Sequence, residues 1–311
     1  MYAGYPQAWR IRILHLISEK IQMFNIQQGE GRIRKQIRIL SAIKEDCMKR
    51  RKTMIKVACQ TIVYGNPVIK TTIASILQNV HENGYDGVEI GIRHFYLDRP
   101  EYYRELLEKN NLELPAVHIG GDFLNKDAVA KEMENAEQYI DFAKKMGCKY
   151  VYLSGVYREK KTAEDYRDEA AVYNEIGKKA KENGLTLCYH NHNWEFQNEA
   201  EGMKILLDRV PEENMKLVPD VGWVTMGGYD PVAFLAENRN RVEALHFKDF
   251  KSLDQFTELG TGIVDFAGVY DLIKEWGRDF WISAEQDKAT HTPQESSKAN
   301  AAFIRSLTGA K

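Results

Sequence analysis

The chain has 311 residues, 43% hydrophobic and 28% charged, with a formal net charge of −2, the composition of an ordinary soluble globular protein. No run of about 18 apolar residues occurs, which excludes a membrane-spanning helix. The four cysteines (Cys47, Cys59, Cys148 and Cys188) are scattered without a CxxC pair, which excludes a zinc ribbon and fits a reduced, cytoplasmic protein.

Charge is unevenly placed along the chain. Residues 1–53 carry twelve Lys/Arg against four Asp/Glu, leaving 31 basic and 41 acidic residues beyond them. This segment has helical clusters of apolar residues (Ile13, Leu14, Leu16, Ile17, Ile21, Phe24) among its arginines. Arg10, Arg12, Glu19 and Lys20 interrupt any secretory apolar core. A presequence or a basic binding arm is one reading. The plainer one makes Met54 the natural start, because a purine-rich ribosome-binding site translates as Arg-Arg a short way upstream, where Arg50 and Arg51 stand. Residues 1–53 are therefore expected to be a basic extension outside the core, and residues 54–311 the catalytic domain.

From Met54 onward, short apolar runs alternate with amphipathic stretches, the pattern of a parallel βα protein. The predicted strands cover residues 56–61, 87–90, 114–120, 150–154, 185–189, 216–219, 242–247 and 281–284. The first predicted helix runs through Ile73, Ile76 and Val80 to Gly84, and a second lies around residues 101–109. A third shows Val129, Met133, Ala136, Ile140 and Ala143 in alternating steps of four and three before Gly147. Further helices span 163–182, closed by Gly184, and 293–307. Eight units in about 258 residues predict an α/β fold of the (β/α)8 TIM-barrel type. An open doubly wound sheet competes, but the turn after the first strand has no GxGxxG.

In such a barrel the working face lies at the C-terminal ends of the strands. The predicted strands end in Gln60, Glu89, His118, His190 with His192 and Glu195, Asp220, His246 with Lys248 and Asp249, and Glu285 with Asp287. Carboxylates and imidazoles gathered there without a cation are electrostatically costly, so a divalent metal is expected. Mixed oxygen and nitrogen ligation points to Mn, Co, Fe, Zn or Mg rather than Ca.

Five segments then carry a resemblance: Tyr-His-Asn-His-Asn-Trp-Glu-Phe at 189–196, Pro-Asp-Val-Gly-Trp-Val at 219–224, Leu-His-Phe-Lys-Asp at 245–249, Gly-Thr-Gly-Ile-Val-Asp-Phe at 260–266 and Ala-Glu-Gln-Asp at 284–287. In order and spacing they resemble the xylose-isomerase-like TIM-barrel superfamily, and within it the sugar phosphate isomerase/epimerase family. The resemblance implies a metal held by Glu, Asp, His and Glu from strands five to eight. Asp220, His246 and Glu285 match three of these. The first position is His190 where many relatives have Glu, so either His190 ligates or Glu195 reaches back, and Glu195 is preferred.

The resemblance implies a metal-dependent isomerase or epimerase acting through an ene-diolate on a sugar or keto-polyol. Glu285 is the expected base on one side, His190, His192 or Glu195 acts on the other, and Lys248 supports the oxyanion. Gln60, Glu89, His118, His192 and Trp223, with Trp194, are expected to bind substrate, although Glu89 reads equally as a buried structural carboxylate and both tryptophans as rim packing. The same first step serves a keto-sugar or inosose dehydratase, the main alternative. An endonuclease IV-like nuclease and a non-catalytic sugar-binding barrel are further alternatives; the acidic barrel region argues against nucleic acid. Gly260-Thr261-Gly262 reads as a phosphate cradle or, more plainly, as an ordinary turn. A homo-oligomer is compatible with barrels of this kind.

Overall fold

The computed structural model describes residues 54–252 and 255–310. The expectations for residues 1–53 lie outside the described residues.

Strands β1 (Ile55–Gln60), β2 (Gly87–Gly91), β3 (Ala116–Ile119), β4 (Tyr150–Ser154), β5 (Thr186–His190), β6 (Lys216–Leu217) and β7 (Leu245–Phe247) are followed by a hairpin of β8 (Asp249–Ser252) and β9 (Gln255–Thr257), and then by β10 (Phe280–Ala284). Eight of these form one parallel sheet in the order β6-β5-β4-β3-β2-β1-β10-β7. Single parallel bridges from Leu217 to Val242 and from Asp220 to His246 join its two ends. The sheet is closed, as the sequence predicts, and the eighth barrel strand is β10.

The helices α1 (Asn66–Glu82), α2 (Pro100–Lys109), α3 (Val129–Lys145), α4 (Ala163–Glu182), α5 (Gln197–Arg209), α6 (Val221–Met226), α7 (Pro231–Glu237), α8 (Phe266–Lys274) and α9 (Pro293–Thr308) cover the outside. Their starts are chemically marked. Thr162 with Asp165 and Thr292 with Glu295 form reciprocal capping boxes for α4 and α9. The β8–β9 hairpin and the helices α5 to α8 have no counterpart among the predicted elements.

Strand periodicity divides the core into two layers. Outward residues such as Val57, Val88, Ile90, Val117, Val151 and Leu187 pack with the helices in the larger apolar cluster. Inward residues Ala116, Tyr150, Tyr152, Cys188, Val218 and Ala244, with Trp281, form a separate small cluster that fills the lower barrel. Two residues further along, the same inward faces turn polar: Ala116 gives way to His118, Tyr152 to Ser154, Cys188 to His190, Val218 to Asp220 and Ala244 to His246. An apolar plug therefore lies beneath a polar floor, as alternation along each strand requires.

Candidate metal centre

His190 ends β5, Asp220 caps α6, His246 lies within β7 and Glu285 follows β10. All four are buried, and one donor atom from each lies within 4.8 Å of the others. His190 Nε2 stands 3.7 Å from Asp220 Oδ2 and 3.2 Å from Glu285 Oε2, and His246 Nδ1 stands 2.5 Å from Glu285 Oε2. Asp220 Oδ1 accepts the Trp223 amide at 3.0 Å as a helix cap. Its Oδ2 and His190 Nε2 are buried with no hydrogen-bond partner. Unpartnered buried donors aimed at one point are costly unless a cation completes them. Two imidazoles and two carboxylates are a donor set that fits a divalent metal.

Asn191 fixes one side of this arrangement. Its side chain accepts the Asp220 amide at 3.1 Å and donates to the Asp220 carbonyl at 3.2 Å, doing between β5 and β6 what strand pairing would do.

Beneath the donors lies Glu89, fully buried. Its carboxylate accepts from Ser283 Oγ at 3.1 Å, meets His118 Nδ1 at 3.0 Å and lies 2.6 Å from His246 Nε2. The last contact is close but too oblique to count as a regular hydrogen bond, so we read it as an ion-pair contact. His118 Nε2 contacts Ser154 Oγ at 2.7 Å, and Ser154 Oγ lies 3.3 Å from His190 Nδ1. Burial alone would raise the Glu89 carboxyl, but His246 and His118 hold it at about 2. Burial opposes charge on His246 too, and there Glu89 and Glu285 outweigh it, raising the imidazole to about 10.

Lys248 is buried beside the centre. Its Nζ donates to Asp287 at 2.6 Å and Glu285 at 3.0 Å, and sits 4.2 Å from the Trp223 ring centre. Burial pushes its pKa down, and the carboxylates of Glu285, Asp287 and Asp220 more than reverse this. His192 lies parallel to Trp194 at 4.0 Å between ring centres. Burial keeps its pKa well below the usual imidazole range, and its Nδ1 is buried without a partner.

Glu195 stands apart from the four clustered donors. Its carboxylate accepts the Tyr189 hydroxyl at 2.8 Å and the His192 amide at 2.7 Å. A short 3-10 turn, Asn193–Phe196, bends it back onto the wall of the barrel, and the fourth place in the cluster belongs to His190. Burial raises the Glu195 carboxyl to about 7 against these hydrogen bonds.

A cavity of about 510 Å³ opens above the centre, bordered by Gln60, His118, His190, His192, Glu285 and Asp287. Glu89 and Trp223 do not border it; Glu89 lies under the imidazoles and Trp223 packs on Lys248 and Phe256. The Gly260–Gly262 turn is filled from within, because Asp249 Oδ2 accepts both glycine amides at 2.9 Å. Sequence reasoning missed Ser154, Ser283 and Asn191. Ser154 was legible in principle, since it holds on β4 the inward position that His190 holds opposite it on β5.

A parallel eight-stranded barrel with a four-donor polar centre at the C-terminal ends of its strands defines the class. The chain belongs to the xylose isomerase-like TIM barrel family, whose model matches residues 77–307. It is 25% identical over 264 residues to an inosose dehydratase of Clostridium tetani, covering 73% of this chain and 86% of that protein. An inosose dehydratase of Geobacillus kaustophilus is 27% identical over 267 residues, covering 75% and 86%. In structure it resembles a sugar phosphate isomerase/epimerase from Parabacteroides distasonis, with a TM-score of 0.68, 21% identity, and 84% and 96% coverage of the two chains.

Proposed function

We propose that the chain is a metal-dependent lyase that removes water from a small cyclic keto-polyol. His190, Asp220, His246 and Glu285 would hold the ion. Two imidazoles beside two carboxylates favour Zn, Co or Fe over Mg. When bound, the metal supplies Lewis acidity at a carbonyl oxygen and so acidifies the neighbouring C–H.

The observation that carries this reading is an unlike pair of groups at one cavity. His192 borders it as an imidazole whose pKa burial holds well below the usual range, so that it stands neutral and suited to take the C–H proton. Asp287 borders it too, and burial raises its carboxyl in spite of the Lys248 ammonium beside it, which suits it to carry a proton to the leaving oxygen. As the C–O bond at the β-carbon breaks, that proton joins the departing hydroxide to give water. The electrons of the C–H bond become the new C=C bond. Both sequence relatives named above are dehydratases of a cyclic keto-polyol, which supports the same outcome.

Isomerisation or epimerisation is the second reading, favoured by Glu285, which also borders the cavity and offers a second base for returning the proton. The two separate in one assay. The metal-loaded protein with an inosose in heavy water should lose water and develop conjugated-carbonyl absorbance. Deuterium entering a ring of unchanged composition would instead establish the isomerase or epimerase. Asp220→Ala and His246→Ala should each abolish metal retention, measured by elemental analysis. Full occupancy in both variants would remove the centre from this account.

A further inference from the structure

We infer that Ser154, His118 and Glu89 form a tautomer lock, in which one buried carboxylate dictates which nitrogen each of the two centre imidazoles presents to a metal. The inference rests on the proposed metal centre and adds the positioning residues that make His190 serve in it.

The argument follows the protons around the polar floor. Glu89 is an acceptor only, because it is a carboxylate ringed by donors. His118 Nδ1 faces it at 3.0 Å and must carry a hydrogen, since a bare nitrogen there would oppose lone pair to lone pair. A neutral His118 then has a bare Nε2, so the Ser154 hydroxyl 2.7 Å away donates to it. Having given its one hydrogen to His118, Ser154 Oγ can only accept from His190 Nδ1 at 3.3 Å. His190 is thereby left with a bare Nε2, the atom that lies among Asp220 and Glu285 with no hydrogen-bond partner.

The other branch is shorter. Glu89 Oε2 lies 2.6 Å from His246 Nε2, an ion-pair contact so close that a bare nitrogen would oppose lone pair to lone pair, so Nε2 carries a hydrogen. With a metal bound, His246 Nδ1 would be the nitrogen left to ligate, the ion replacing the hydrogen that otherwise stands between it and Glu285. Glu89 thus reaches both metal-facing imidazoles, His246 directly and His190 through His118 and Ser154. Outer partners of this kind orient a ligand ring and fix its tautomer. The longer branch serves the place where an imidazole stands, and a carboxylate ligand in that place would need no such arrangement.

The test uses the full-length protein stripped of metal and titrated with cobalt(II), reading affinity and the visible ligand-field spectrum. Ser154→Ala should weaken cobalt binding on the order of tenfold and alter the spectrum, because His190 is released to the wrong tautomer. Ser154→Thr, which keeps a hydroxyl, should restore parental binding. Glu89→Gln cannot accept from both rings through one carbonyl oxygen and should weaken binding on the order of a hundredfold. The double variant should bind no worse than Glu89→Gln alone, since both act along one path. Parental cobalt affinity and spectrum in Ser154→Ala, with binding lost in His190→Ala, would overturn the lock and leave the centre standing. A parent protein that binds no cobalt would overturn both.

Discussion

The Glu195 carboxyl has both oxygens engaged in the barrel wall, on the Tyr189 hydroxyl and the His192 amide. Its burial has a consequence for stability that can be given a sign. An ordinary glutamate titrates at 4.5, and this one is raised to about 7. The folded chain therefore holds the proton more tightly than the unfolded chain does. That contribution is complete below about pH 4.5 and is lost as pH rises through about 7. Denaturant unfolding of the parent and of Glu195→Gln should show the difference between them moving in the variant's favour by up to about 3 kcal/mol between pH 5 and 8. A difference flat with pH would show that Glu195 is ionised throughout. At this scale the sequence was partly legible. Asp220, His246 and Glu285 announce themselves as polar residues ending inward strand faces. The choice between His190 and Glu195 was not readable, because it turns on a four-residue 3-10 turn whose bend no local pattern specifies.

Between elements, the clasp of Asn191 on Asp220 matters most for the centre. β6 is only two residues long, so backbone pairing stops before the residue that must be held. Asn191 continues the pairing by other means, with two buried hydrogen bonds. Asn191→Ala should lower unfolding free energy by about 1–3 kcal/mol, because it leaves the Asp220 amide without its acceptor and takes from the Asp220 carbonyl one of its two donors. It should also weaken metal retention, though Asn191 is not among the four donors. Unchanged metal content in a destabilised variant would confine its role to folding. The motif that contains Asn191 was visible in the sequence, but its function was not, since it depends on where β5 and β6 come to lie. The β8–β9 hairpin escaped for a related reason. Its strands are four and three residues long, too short for alternation to stand out.

At the scale of the molecule, the fold was the most legible feature, because eight alternations of apolar run and amphipathic stretch repeat one message and tolerate errors of a few residues at each boundary. All eight barrel strands fall between Ile55 and Ala284. We therefore take residues 54–311 as the folding unit. A protein beginning at Met54 should fold and unfold in a single transition with the same thermal midpoint as the full chain. A clear fall in that midpoint would give residues 1–53 a structural role.

The acid that fills the Gly260–Gly262 turn bears on what the barrel can recognise. Asp249 occupies the amide hydrogens that a glycine turn would otherwise extend to an incoming anion, and a Cβ on Gly262 would collide with it at 2.2 Å. The loop is thus self-liganded and repels negative charge. Its amide hydrogens are spent within the chain, so the turn offers an incoming phosphate no anchorage.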